Sequence, residues 1–80
     1  MEKADILKSL EQVFQKEFKN QELKINENSS PNDIDEWDSI NQLTLISDVE
    51  EQFKVKFNLN EIIEIEKVQD ILDVLDEKLN

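Results

Sequence analysis

Asp38, Ser39 and Ile40 put a serine hydroxyl between an acid and an aliphatic residue, at the point where a loop turns into a helix. The surrounding stretch, EWDSINQL over residues 36–43, also holds the only Trp of the chain, Trp37. A serine in that place has two readings. It is an ordinary helix cap, or it is the atom to which a working group is attached. Three features bear on the second reading. A helix N-terminus offers backbone N–H groups that favour a phosphate. The neighbouring acids include no base that would activate the hydroxyl, so another protein would have to modify it. The helix that follows is apolar over too wide an arc for a single packing contact.

Little else in the chain could do chemistry. Cysteine is absent, which excludes disulfides and thiolate metal sites. Histidine is absent, which removes the commonest general base and metal ligand and with it any Ser-His-Asp arrangement. Glycine is absent too, so a glycine-rich phosphate loop is excluded. Asp33, Asp35 and Asp38 suggest a calcium loop only briefly. Counted from Asp33, the sixth position is Asp38 rather than Gly and the twelfth is Thr44 rather than Glu, so the EF-hand pattern fails. No dedicated metal site and no enzyme activity of its own are expected.

The elements that must position Ser39 follow from the apolar spacing. Eighty residues have room for one modest core and one domain, here expected over residues 1–80. Ile6, Leu7, Leu10, Val13, Phe14 and Phe18 fall within an arc of about 140° on a helical projection, which predicts a one-sided first helix ending between Phe18 and Gln21. Periodicity is then lost to Trp37. Asn28-Ser29-Ser30-Pro31 is turn chemistry, and Leu23, Ile25 and Ile34 are expected to pin this long loop to the core. The Asn28-Ser29-Ser30 sequon is read as accidental.

A second helix is predicted from Asp38 or Ser39 to about Phe53, with Asp38 as N-cap or, in its place, a capping box of Ser39 and Gln42. Its apolar residues Ile40, Leu43, Leu45, Ile46, Val49 and Phe53 spread over about 220°, so it should be flanked on two sides. A short helix with Asn60 as cap is expected over 60–65, and a last one from Glu66 to Leu79. The KVKF of residues 54–57 alternates like a short strand but is too short to decide. The class is therefore all-α, a small bundle of three long helices and one short, with a long first connection.

Charge is unevenly placed. Against 9 Lys and Arg stand 20 Asp and Glu, a net charge of -11 that repels nucleic acid and anionic membranes and favours partners with basic patches. Between Ile25 and Phe53 there is no Lys or Arg, while Glu27, Asp33, Asp35, Glu36, Asp38, Asp48, Glu50 and Glu51 all lie there. Their mutual repulsion predicts a melting temperature that rises with added salt or magnesium; a flat response would mean that the acids are well paired. No secretion signal or membrane span is read in the sequence, and a cytoplasmic monomer is expected.

WDSINQLTLISDVEEQF (37–53), followed by EKVQDILDVL (66–75), resembles the acyl carrier protein family. Asp38-Ser39-Ile40 matches its Asp-Ser-aliphatic motif, with Ile in place of the commoner Leu. Leu45 to Phe53, with the Glu50-Glu51 pair, matches its second helix, and the spacing to Val68-Gln69 and the final helix matches as well. The resemblance covers nearly the whole chain.

It implies a four-helix bundle with 4′-phosphopantetheine on Ser39, placed there from coenzyme A by a separate phosphopantetheinyl transferase using magnesium. The thiol of that group would hold acyl cargo for acyl-loading and acyl-transferring enzymes, in fatty-acid, lipid or specialised biosynthesis. Asp38, Asp48, Glu50 and Glu51 are the implied contacts for basic patches on those enzymes. Ile46, Val49, Ile62, Ile65 and Ile71 are the implied lining of an acyl cleft, although plain core fits them equally well. The chain departs from the family at Glu36, where a Gly is frequent, and at Trp37, expected to plug the helix start. It also departs at Asn41 and Thr44, often acidic in fatty-acid carriers, which points to a specialised set of partner enzymes. An aminoacyl or peptidyl carrier, and an unmodified acidic interaction module of the same fold, are the alternatives. A nucleic-acid mimic would explain the charge but not the motif.

Overall fold

The computed structural model describes residues 2–79, and the side chain of Ser39 lies outside that description. Four helices follow in order: α1 (Lys3–Glu17), α2 (Ser39–Phe53), α3 (Leu59–Ile63) and α4 (Val68–Leu79). This is the all-α architecture that the apolar spacing predicts, three long helices and one short. α1 packs against both α2 and α4. Its buried stripe of Ile6, Leu10, Val13 and Phe14 meets Leu45, Ile46 and Val49 of α2 and Val68, Ile71, Leu72 and Leu75 of α4 in one core. Each such side chain contributes about 1.5–3 kcal/mol by leaving water.

With no glycine available, both α1 and α2 end on lysines in the left-handed region, Lys19 (φ 54°) and Lys54 (φ 57°). After α1 the Lys19 N–H donates to the Lys16 carbonyl (3.3 Å) and the Asn20 N–H to the Gln15 carbonyl (3.0 Å). That double closure satisfies the open carbonyls of the last turn. It offsets the roughly 1 kcal/mol that a Cβ costs in this conformation.

The long connection is tied down at many points. Ile25 and Ile34 are buried and Leu23 is half-buried, as the sequence predicts. Two α1 side chains hold it: the Ile25 N–H donates to Glu11 Oε2 (3.0 Å), and Gln15 Nε2 donates to the Leu23 carbonyl (2.9 Å). Ser29 is buried, its Oγ accepting from the Asn26 N–H (2.9 Å). At the far end of the chain, the Val68 N–H donates to the Ser29 carbonyl (2.8 Å) and the Gln69 N–H to the Glu27 carbonyl (2.9 Å). The loop backbone thus satisfies N–H groups that the first turn of α4 leaves open.

Two expectations are corrected and one open reading is decided. α3 spans Leu59–Ile63 and its cap is Asn58, not Asn60. Asn58 Oδ1 accepts from the Glu61 N–H (2.8 Å) while Glu61 Oε1 accepts from the Asn58 N–H (2.8 Å), a reciprocal pair that Asn60 would need an acid at residue 63 to match. α4 starts at Val68 rather than Glu66, because the N–H groups of Glu66 and Lys67 turn back onto Asp70 Oδ2 (2.8 and 3.2 Å). Residues 54–57 form no strand: Lys54 is left-handed, and the Phe57 N–H donates to Glu50 Oε2 (2.7 Å). Phe57 is buried by that turn.

Candidate functional site

The entry into α2 is fixed from both sides of Ser39. Asp38 is extended (φ -120°, ψ 179°), and its Oδ1 accepts from the N–H groups of Ile40 (3.0 Å) and Asn41 (2.8 Å). Of the alternative capping box, the Gln42 side chain is engaged elsewhere, and the Ser39 side chain lies outside the described residues. Ser39 is the first helical residue, one place beyond the cap. Asn41 Nδ2 also donates to the Glu36 carbonyl (2.8 Å), bracing the turn before it. Neutral Asn41 therefore serves as a local brace.

Trp37 is the plug that the sequence predicts. It is 1% exposed and meets Phe14 of α1 edge to face, with ring centroids 5.2 Å apart. Its buried indole N–H needs an acceptor, and Nε1 donates to Gln42 Oε1 (3.1 Å). Gln42 Nε2 in turn donates to the Ile62 carbonyl (2.9 Å) at the end of α3. One glutamine therefore connects the loop, α2 and α3, a role that sequence reasoning missed because its partners lie five and twenty residues away.

The wide apolar arc of α2 is divided. Leu45, Ile46, Val49 and Phe53 are buried, whereas Ile40 is 80% exposed and Leu43 59%. The expected cover on two sides is thus incomplete: α1 and the rest of the core cover the buried face, while Ile40 and Leu43 stay open. Leu43 faces α3 across an open groove of about 500 Å³ that Asp38, Gln42, Leu59, Ile62 and Ile65 also line. Leu59 and Ile63 of α3 are each 66% exposed. Apolar residues left in water beside one helix start are a feature that calls for a ligand or partner.

The candidate lining residues separate accordingly. Ile62 and Ile65 border the groove, while Ile46, Val49 and Ile71 lie wholly in the core. The four candidate docking acids also differ. Glu51 is exposed. Asp38 is exposed but occupied as the cap, Glu50 is half-buried and holds the Phe57 N–H, and Asp48 is half-buried against Glu17 of α1.

The Glu17 carboxyl is raised above its usual range, first by its hydrogen bond to Asp48, then by burial and by the Asp48 charge. A raised acid is favoured in its protonated form, so its contribution is present at low pH and lost as pH rises above the ordinary carboxylate range. Glu17→Gln is therefore expected to raise Tm at pH 7 by roughly 2–4 °C, about 0.5 kcal/mol for one screened like-charge pair. The gain should disappear near pH 4. An equal gain at both pH values would locate the effect elsewhere.

Among the described residues no group of three or more acids gathers to hold a metal ion, and no helix is long and apolar enough to cross a membrane. The profile of the phosphopantetheine attachment site family matches residues 8–75. No curated protein sequence matches the chain. Among solved structures, a holo acyl carrier protein from Geobacter metallireducens, determined by solution NMR, is 35% identical, with a TM-score of 0.85 over 92% of this chain and 85% of that one. A match over this much of the sequence and of the fold makes the chain a member of the phosphopantetheine-attachment family, a carrier protein that bears a phosphopantetheine prosthetic group rather than an enzyme.

Proposed function

We propose that the chain is an acyl carrier whose phosphopantetheine is attached at Ser39, and that residues 1–80 make one carrier domain. The observation that carries this reading is the position of Ser39. It opens α2 immediately after Asp38, the acid that caps the helix and that lines a groove together with Leu43, Leu59 and Ile62. The residues present fit the group. The helix start is fixed by Asp38 and Trp37, the N-terminal end of a helix favours a phosphate, and the apolar surface beside it suits an acyl chain better than a charged aminoacyl one. When bound, the group supplies a thiol that holds the acyl cargo as a thioester. The protein's own residues orient the attachment point, present Ile40 and Leu43 beside it and keep Trp37 out of the way in the core.

Partners follow from the surface. A phosphopantetheinyl transferase drawing on coenzyme A and magnesium would modify Ser39, and acyl-handling enzymes would dock around it. Asp38, Asp48, Glu50 and Glu51 are the acids offered to basic patches, with Glu51 the most open of them in position and engagement. Neutral Asn41 and Thr44 lie on the first turns of α2, and these favour partner enzymes of a specialised pathway over those of housekeeping fatty-acid synthesis. Intact-mass measurement after incubation with coenzyme A, magnesium and a broad-specificity transferase tests the reading. One phosphopantetheine increment, located on the peptide containing Ser39, is expected. An increment on any other residue, or none with a transferase active on a control carrier, would overturn it.

A further inference from the structure

We propose that Gln42 is a positioning residue that bolts the end of α3 to the indole of Trp37 and so keeps a carried acyl chain on the outer side of the groove, against Leu43, Leu59 and Ile63. This rests on the reading of Ser39 as the attachment point, two residues from Trp37 and three from Gln42.

The bolt has a defined polarity. An indole N–H only donates and a backbone carbonyl only accepts, so the Gln42 amide has one orientation that serves both: Oε1 toward Trp37 Nε1 (3.1 Å), Nε2 toward the Ile62 carbonyl (2.9 Å). The Ile62 carbonyl belongs to the last turn of α3, where a helix lacks internal partners for its acceptors. Beyond Gln42 it receives backbone N–H groups of the helix end alone, the longer bond from Ile65 (3.3 Å) and that of Glu64 at the C-cap, which is shared with the Asn60 carbonyl. α3 needs such a tie. It is five residues long, buries none of them fully, and exposes Leu59 and Ile63. Its other side-chain link to a long helix, Glu61 with Lys78 of α4 (3.4 Å), is partly exposed and open to screening by salt.

Geometry then decides where a chain can lie. Gln42 lines the groove, and the residues deeper in the core, Ile46, Val49 and Ile71, are each at most 1% exposed. A chain entering between α2 and α3 has to part the Gln42 bonds, whereas the outer surface is already open. Because the chain has one Trp, a single indole N–H resonance reports the state of the bolt.

The test compares the parent with Gln42→Ala and with Gln42→Glu, which keeps an acceptor for Trp37 but loses the donor to Ile62. Amide hydrogen exchange is measured on unmodified protein, with α1 and α4 as internal references for folding. In Gln42→Ala the amides of residues 61–65 are expected to exchange roughly tenfold faster while α1 and α4 are unchanged, as befits a locally opening segment. Gln42→Glu should loosen α3 as well while leaving the indole resonance close to its parent position. In the second arm a broad-specificity phosphopantetheinyl transferase with magnesium transfers octanoyl-phosphopantetheine from octanoyl-coenzyme A to the Ser39 hydroxyl, releasing adenosine 3′,5′-bisphosphate. In the parent, the indole resonance should stay in place on loading; in Gln42→Ala it should move. Parent-like α3 exchange in both variants, or an indole resonance that moves on loading the parent, would overturn the proposal. A Ser39 that takes no group at all would sink the underlying reading, and the exchange comparison on unmodified protein would still decide the bolt.

Discussion

Trp37→Ala is expected to remove most of the stability of the fold. Replacing a fully buried Trp by Ala costs about 3–5 kcal/mol in lost transfer energy and unfilled volume. A chain of this length has roughly 4–12 kcal/mol in total. Trp37 is 1% exposed, packs edge to face on Phe14 and ties Gln42 in place, so the site has little freedom to collapse around the gap. Urea unfolding followed by far-ultraviolet circular dichroism should show a midpoint far below that of the parent, with a measurable unfolded fraction in buffer alone. Trp37→Phe separates the two contributions. It keeps most of the ring packing but leaves Gln42 Oε1 without its donor, at a cost of about 1–2 kcal/mol. If Trp37→Ala lowered stability by less than 1 kcal/mol, the indole would be covering the helix start without supporting it.

The second large effect is all-or-none. Ser39→Ala is expected to take up no phosphopantetheine under conditions that modify the parent completely, while its Tm stays within about 1–2 °C. The dissociation follows from the cap. Asp38 receives the N–H groups of Ile40 and Asn41, so the helix start does not depend on a serine one residue later. Asp38→Ala is expected to do the reverse to stability, losing about 1 kcal/mol and roughly 4–8 °C of Tm. A Ser39→Ala protein that melted many degrees lower would return the serine to the role of a cap.

Much of this was legible in the sequence, for identifiable reasons. The helical stripe of Ile6, Leu10, Val13 and Phe14 and the break after Phe18 follow from spacing alone. Trp37 as plug needed only residue type and place, whereas Asp38 as cap competed in the sequence with a Ser39–Gln42 box. Other features turn on arbitration between equals. Asn58 and Asn60 are both good caps, and only Glu61, three residues after the first, decides between them. The exposure of Ile40 and Leu43 was not legible, because an apolar arc has the same periodicity whether a helix covers it or a groove leaves it open. Contacts such as Gln42 with Ile62 and Glu17 with Asp48 join residues with no sequence relation to one another.

The bonds from Val68 and Gln69 to the carbonyls of Ser29 and Glu27 have a consequence for a chain still being made. The serine motif emerges from the ribosome before the residues that anchor the loop leading to it. Until Val68 and Gln69 follow, that loop lacks its far tether, and a transferase that recognises a shaped surface would find only a sequence. Loading should therefore wait on the last helix, so that nascent or truncated chains do not consume prosthetic groups they have no fold to present.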